Sequence, residues 1–306
     1  MKNQPDLSVV ISVYNDAENL DECLKSLKNL DVEVIVVNNS SLDNTQEIAK
    51  KYTQNVYAQK NDPLKIDLQK NFGFQKATKS WILSLDADER LTPGLISEIK
   101  ELVESNNLDI NGYLIPRKNI IFGKWIQNSI WSPDYQLRLF RKGKGKFTES
   151  SVHRSLTITG VTEKLTEPIV HINYTSISQY LSKMDKIYTE IEAEQLVKSG
   201  KDLTWVDAIR FPVNDFLKTF FLQKGYKDGL HGLVLSILQA FYMEIVFAKA
   251  WEKKGFYEEN DPKFLQKLTA EFKKIGSEFR YWFLTSRIES EKNLVKKIAF
   301  KVKRKF

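Results

Sequence analysis

The sequence predicts an α/β protein: a Rossmann-like, mostly parallel sheet with helices on both faces, followed by an α-helical C-terminal region. Three observations predict it. Leu7 to Tyr14, Val32 to Val37 and Trp81 to Leu85 are short apolar, largely β-branched runs of strand length. Helical spacing follows each run: Leu20, Cys23, Leu24 and Leu27 after the first, Thr45 to Tyr52 after the second, and Leu95, Ile96, Ile99, Leu102 and Val103 after the third, where Thr92-Pro93 opens the helix. Each run also ends in a polar cluster, Asn15-Asp16, Asn38-Asn39 and Asp86-Ala87-Asp88-Glu89. Strands alternating with helices form parallel sheets, whose ligands bind beyond the carboxyl ends of the strands. The three clusters, distant in the chain, are therefore expected to meet in one crevice. A further helix-like stretch is expected around Phe74 to Ser80, just before the third strand.

From about Gly112 to Tyr174 the pattern changes to short mixed segments rich in Trp, Lys and Gly, read as hairpins and loops over that crevice. Two regions result, residues 1–175 and residues 176–306. In the second, Ile177 to Val197 reads as one long amphipathic helix with Ile177, Leu181, Met184, Ile187, Tyr188, Ile191 and Leu196 as its stripe. Leu230 to Trp251 has the length of a bilayer span, but His231, Glu244 and Lys249 interrupt it, so an interfacial or core helix is expected.

A hydrophobic fraction of 42% and a charged fraction of 28% over 306 residues predict a folded globular chain. The single Cys23 excludes an internal disulfide and a thiolate zinc site, and suits the cytosol. No signal peptide is expected at the N-terminus. The net charge of +7 is concentrated from Lys292 onward, where seven basic residues alternate with apolar ones. That pattern predicts attachment to an anionic membrane surface, and so a cytoplasmic protein peripheral on the cytoplasmic face of the inner membrane. Neither G-x-G-x-x-G nor a P-loop is present, which argues against dinucleotide oxidoreductases and NTPases. No nucleic-acid partner is expected.

Asp86 and Asp88, at i and i+2 on a strand end, turn toward the same side. Such a pair can hold a divalent cation, Mg²⁺ or Mn²⁺, that neutralises a phosphate-rich leaving group. Their surroundings carry a resemblance. VVISVYNDAENLDECLKSL, VIVVNNSSLDNTQEIAKKY, QKNFGFQKATKSWILSLDADERLTPG and WSPDYQLRLFRKGKGKF together resemble the family 2 glycosyltransferases of GT-A fold. VHRSL, IVHINYTSISQYLSKMDKIY and FLKTFFLQKGYKDGLHGLVLSILQAFY are similar to the subgroup that builds the lipopolysaccharide core. The resemblance covers about four fifths of the chain.

It implies an inverting, metal-dependent transfer from a nucleoside diphosphate sugar, UDP-linked by preference, to a glycolipid or core oligosaccharide. Residues 1–111 would form the donor half and 112–175 the acceptor half. Tyr14, Asn15 and Glu18 would line the nucleobase side, with Tyr14 against the base. Asn38 stands where the family usually has an Asp, a departure that leaves an amide to read the base. Asp43 matches a recurrent acidic position and equally suits a helix cap. Lys70 would contact donor phosphates, Asp86 the ribose, and Asp88 the metal with Asp86 beside it. His153 or His171 would add a third metal ligand. Asp134 is the first candidate for the base that deprotonates the acceptor, with Arg138 on the diphosphate or on that carboxylate, and Glu149 is the second. The subgroup's His-Glu is replaced here by His153-Arg154. Two other readings stay open: a polyprenyl-phosphate glycosyltransferase, and a lapsed enzyme acting as a membrane-associated binding module.

Overall fold

The computed structural model describes residues 5–62, 65–105, 107–148 and 156–305. They form two compact units, Met1–Trp125 with Ser132–Thr175, and Ile126–Trp131 with Ser176–Phe306.

The first unit runs β1 (Leu7–Val13), α1 (Ala17–Ser26), β2 (Glu33–Asn38), α2 (Thr45–Tyr52), β3 (Val56–Ala58), α3 (Ile66–Lys76), β4 (Trp81–Asp86), β5 (Glu89–Leu91) and α4 (Pro93–Ser105). It continues with β6 (Ile110–Ile121), β7 (Lys124–Trp125), β8 (Tyr135–Arg141), β9 (Gly145–Phe147), β10 (Leu156–Ile158), β11 (Val161–Lys164) and β12 (Ile169–Tyr174). Ten strands make one mixed sheet in the order β3-β2-β1-β4-β8-β6-β12-β5, with β7 and β11 also on β6. The strands from β3 to β4 are parallel, and β8 lies antiparallel between β4 and β6.

Side-chain alternation explains why both faces are covered. Val9, Ile11, Val13, Leu83 and Leu85 point into one core with Leu20, Cys23 and Leu24 of α1 and Leu95 and Ile99 of α4. Val10, Ile35, Val37 and Ile82 point into the opposite core with Phe74 and Phe140. Helix α3 closes on that second face at Gly73, where an added Cβ would fall 2.5 Å from Cγ1 of Val10 and 3.0 Å from Cγ2 of Val37.

Two expectations are corrected. The helix placed around Phe74 to Ser80 is α3, which begins at Ile66 and ends at Lys76. Beyond it, side chains of neighbouring strands capture the backbone donors: Thr78 N–H donates to Glu33, Lys79 N–H to Ser8 and Ser80 N–H to Asp6. The region after Gly112, read as hairpins and loops, does pair β6 with β7 and β9 with β10 antiparallel, but most of it belongs to the main sheet. It supplies β6, a twelve-residue strand, and β8 and β12 on either side of it, because Tyr113, Ile115 and Ile121 bury and extend the sheet.

The second unit is helical: α5 (Ile177–Lys183) and α6 (Thr189–Lys198) joined by a π-helical turn at Met184–Tyr188, then α7 (Trp205–Phe216), α8 (Leu230–Lys253), α9 (Phe264–Ser290) and α10 (Leu294–Lys305). A capping box between Thr204 and Asp207 starts α7. Ala193 of α6 and Phe247 and Ala250 of α8 share a core with Leu203. By length and composition α8 could cross a membrane. Within its own unit it buries Gly232, Leu235, Ser236, Tyr242, Val246, Phe247 and Ala250.

Candidate functional site

Register brings the three polar clusters together. Ser12 of β1 pairs with Val37 on one side and Asp86 on the other, and Val13 pairs with Asn38, so the carboxyl ends of β1, β2 and β4 are level. Two loops are tied across them. Asn15, at φ 48°, donates its N–H to Ser41 and accepts from Leu42 N–H at 2.6 Å, while Asp43 accepts from Ala17 N–H at 3.2 Å and from Thr45 N–H at 3.1 Å. Asp43 thus pins the start of α2 to the start of α1. Burial works against its ionisation, but the bonds from Thr45 and Ala17 prevail and hold the carboxyl below its ordinary value. Asn38 is buried, accepts from Ser41 N–H at 3.0 Å and faces Gln46, and Asn39 is buried between Ser12 and Gln59. Asn38 is thus engaged with the loop and α2, and Asn39 with β1 and Gln59. Tyr14, by contrast, is 44% exposed at the end of β1, and Glu18 is exposed in the first turn of α1.

At the end of β4, Asp86 lies between two cations. Lys70 of α3 reaches it at 2.6 Å, and Arg138 of β8 pairs with its other oxygen. Arg138 also pairs at 2.6 Å with Glu89, which is wholly buried and accepts from Asp86 N–H. Burial opposes the charges of Asp86, Lys70 and Arg138, and these overcome it by facing opposite charges. The Asp86 carboxyl is held well below its usual range by Arg138 and Lys70, and the Lys70 ammonium and Arg138 guanidinium are held above theirs, chiefly by Asp86. Both oxygens of Asp86 thus face cations, Lys70 on one and Arg138 on the other.

Asp88 has a different neighbour. Strand β12 lies between β6 and β5, and its His171 is in register with Asn119 on one side and Glu89 on the other. Ile172 N–H donates to the Asp88 carbonyl at 2.9 Å, bringing His171 Nε2 to 3.6 Å from Asp88 Oδ2. Asn119 turns its amide nitrogen to Asp134, which as a carboxylate can only accept, and so its oxygen meets His171 Nδ1 at 2.6 Å. In a neutral ring that leaves the Nε2 lone pair facing Asp88. Oδ1 of Asp88 is buried with no hydrogen-bond partner. Among the described residues no group of three or more His, Cys, Asp and Glu is arranged to hold a metal. The Asp88–His171 pair, with one orphaned oxygen and one imidazole lone pair, nevertheless fits a divalent cation that completes its shell with water and phosphate oxygens.

Asp134 is the third centre. Arg117 donates to it from Nε and Nη2, each at 2.7 Å, Asn119 at 3.0 Å and Gln136 at 2.7 Å. Burial works to raise its pKa, and the Arg117 charge with the three donors lowers it further than burial raises it. A cavity of about 640 Å³ opens in this unit, lined on its polar side by Lys70, Asp86, Arg117, Gln136 and Arg138, and on its apolar side by Leu114, Phe147, Leu156 and Ile158. Asp134 does not line it; Arg117 and Gln136, which hold Asp134, do. Glu149, His153 and Arg154 lie outside the described residues.

Sequence reasoning placed Glu89 in a crevice cluster without giving it a role, and missed Arg117, Asn119 and Gln136 as parts of the site. Arg117 and Asn119 on β6, like Gln136 and Arg138 on β8, are i, i+2 polar pairs that share one face of a strand, and that pattern is the signal that could have found them.

A family model described as glycosyl transferase family 2 matches residues 8–166, more than half of the chain. The lipopolysaccharide core biosynthesis glycosyltransferase LpsC of Rhizobium meliloti (strain 1021) is 27% identical over 257 residues, covering 81% of this chain and 92% of its own. An uncharacterized glycosyltransferase of Rickettsia prowazekii (strain Madrid E) is 31% identical over 255 residues, covering 79% of this chain and 86% of its own. Among solved structures, residues 1–349 of S. aureus TarS align with a TM-score of 0.41 and 16% identity, covering 83% of this chain and 93% of that one. With the match spanning β1 to the segment before β12, this chain belongs to glycosyl transferase family 2.

Proposed function

We propose that this family 2 transferase moves a glycosyl group, with inversion, from a nucleoside diphosphate sugar to a hydroxyl of a lipid-linked or lipopolysaccharide core saccharide, using Mg²⁺ or Mn²⁺. One observation carries the reading: the Lys70–Asp86–Arg138 cluster stands at the carboxyl end of β4, two residues from the Asp88–His171 pair, beside an open cavity.

In this reading Asp88 and His171 would hold the divalent cation, which would supply positive charge against the departing diphosphate. Lys70 and Arg138 are already fixed in place by Asp86, so phosphate oxygens meet cations that need little reordering. The exposed ring of Tyr14 supplies a face for the base. UDP is the preferred donor nucleotide. Because the Asn38 amide is committed to Ser41 and Gln46, base selection falls to Tyr14 and the loop after β2. Asp134 is the candidate base for the acceptor hydroxyl's proton, reached through Arg117 and Gln136, which line the cavity and hold its carboxylate.

The test is a thermal-shift screen of nucleotide sugars with and without Mn²⁺, followed by assay of the hit with lipid-linked core saccharide and determination of the product's anomeric configuration. Stabilisation by UDP and a UDP-sugar that requires the cation, with an inverted product stable to mild acid, supports the proposal. A product labile to mild acid would indicate a polyprenyl phosphate acceptor. No stabilisation by any nucleotide sugar would mean the site has lapsed.

A further inference from the structure

Helix α10 has two faces. One packs on α9: the Arg287 guanidinium stacks on Phe300 at 4.3 Å, and Arg304 donates to Thr285 at 3.1 Å and lies 5.4 Å from the Tyr281 ring. The other is apolar and faces solvent. At 100° per residue Leu294, Val295, Ile298 and Val302 fall within an arc of about 100°, and they are 71%, 76%, 53% and 52% exposed. Lys292, Lys296, Lys301 and Lys303 are exposed on either side of that arc. From Lys292 onward the chain carries seven basic residues and no acidic one.

We infer that α10 seats its Leu294–Val295–Ile298–Val302 arc in the interface of an anionic lipid bilayer, with the flanking lysines on the headgroups. The charge decides the occupant. A second copy of this helix would bring seven like charges against seven, which repel, whereas anionic lipid offers a complementary surface and an apolar layer beneath it. The α9 contacts leave the apolar arc free, so docking needs no unfolding of the unit. This inference is independent of the proposed transfer reaction, since it requires neither donor nor metal.

The experiment is sedimentation of the full-length protein with phosphatidylcholine vesicles containing or lacking phosphatidylglycerol. Three proteins are compared: the natural sequence, I298E/V302E, and K296Q/K301Q/K303Q. We expect binding to the anionic vesicles alone. The lysine variant should lose on the order of a hundredfold in partitioning, about fivefold per lysine, and the apolar variant tenfold or more. Both substituted faces are exposed, so circular dichroism and Tm should match the natural sequence. Binding at low salt should weaken as the Debye length falls from about 10 Å at 0.1 M to about 3 Å at 1 M. Equal binding to neutral vesicles, unchanged binding in both variants, loss of binding in I237E on α8 alone, or concentration-dependent dimerisation that the apolar variant abolishes would each overturn the inference.

Discussion

His171 presents Nε2 to Oδ2 of Asp88 at 3.6 Å, too far for a hydrogen bond and close enough for the two atoms to share a cation. Asn119 fixes the ring from the other side. The pair is therefore poised by two strands, β12 and β6, and the turn between β4 and β5, all distant in the sequence.

Asp88→Asn and His171→Ala are expected to remove cation-dependent stabilisation by UDP and to lower transfer by at least about a hundredfold, with circular dichroism unchanged. Asn119→Ala leaves both ligands but frees the imidazole, and cation affinity should fall about 10- to 100-fold. Calorimetric titration with Mn²⁺ and UDP measures each. An Asp88→Asn variant that keeps full cation dependence would rule out the pair.

Asp134→Asn should separate binding from chemistry, keeping UDP-sugar affinity while transfer falls about a hundredfold or more. Because burial is outweighed by Arg117, Asn119 and Gln136, the folded carboxyl ionises below its ordinary value. The base form is then present through neutral and mildly acidic pH, and kcat/KM should decline on this account only below about pH 4. Arg117→Met removes the largest stabilising charge and should move that acid limb upward. A limb that stays in place in Arg117→Met would exclude Asp134 as the titrating group.

Arg138 is buried against Glu89, which has no exposed surface. Arg138→Leu leaves that carboxylate with the Asp86 N–H and a more distant Arg117 at 3.7 Å, and should cost about 3–5 kcal/mol in urea unfolding. For Asp86 the folded pKa is depressed, so its pairing stabilises the fold above its unfolded value and is lost as pH falls through the folded one. Asp86→Asn should therefore flatten stability against pH on the acid side, which urea midpoints taken from neutral to acid pH would measure.

Gly73→Ala should destabilise by about 1–3 kcal/mol, because its methyl meets Val10 and Val37 in a closed core. Since α3 carries Lys70, the same variant should also weaken UDP binding in isothermal titration. A shift in stability with unchanged UDP affinity would show that Lys70 is positioned without that packing.

The chain's own residues determined the first half of the fold. Near-continuous apolar runs in Leu7 to Val13, Glu33 to Asn38 and Trp81 to Asp86, with helical spacing between, specified parallel strands covered on both faces and put Asn15, Asn38 and Asp86 at their carboxyl ends. Those signals are local, and local periodicity is readable without partners. The donor-phosphate role of Lys70 was implied only by the resemblance, and the structure sets the residue against Asp86.

Only the tertiary structure decided which groups face one another. Asn119, His171 and Glu89 lie side by side because β12 inserts between β6 and β5, and pairing between distant strands leaves no periodic trace in any one of them. The same holds for Asp43, whose carboxylate the sequence left open between ligand and cap and which the folded chain engages with Ala17 and Thr45. Residue type fixes what a side chain is able to bind. The register of distant strands, set by burying both faces of one sheet, fixes which partners it is given.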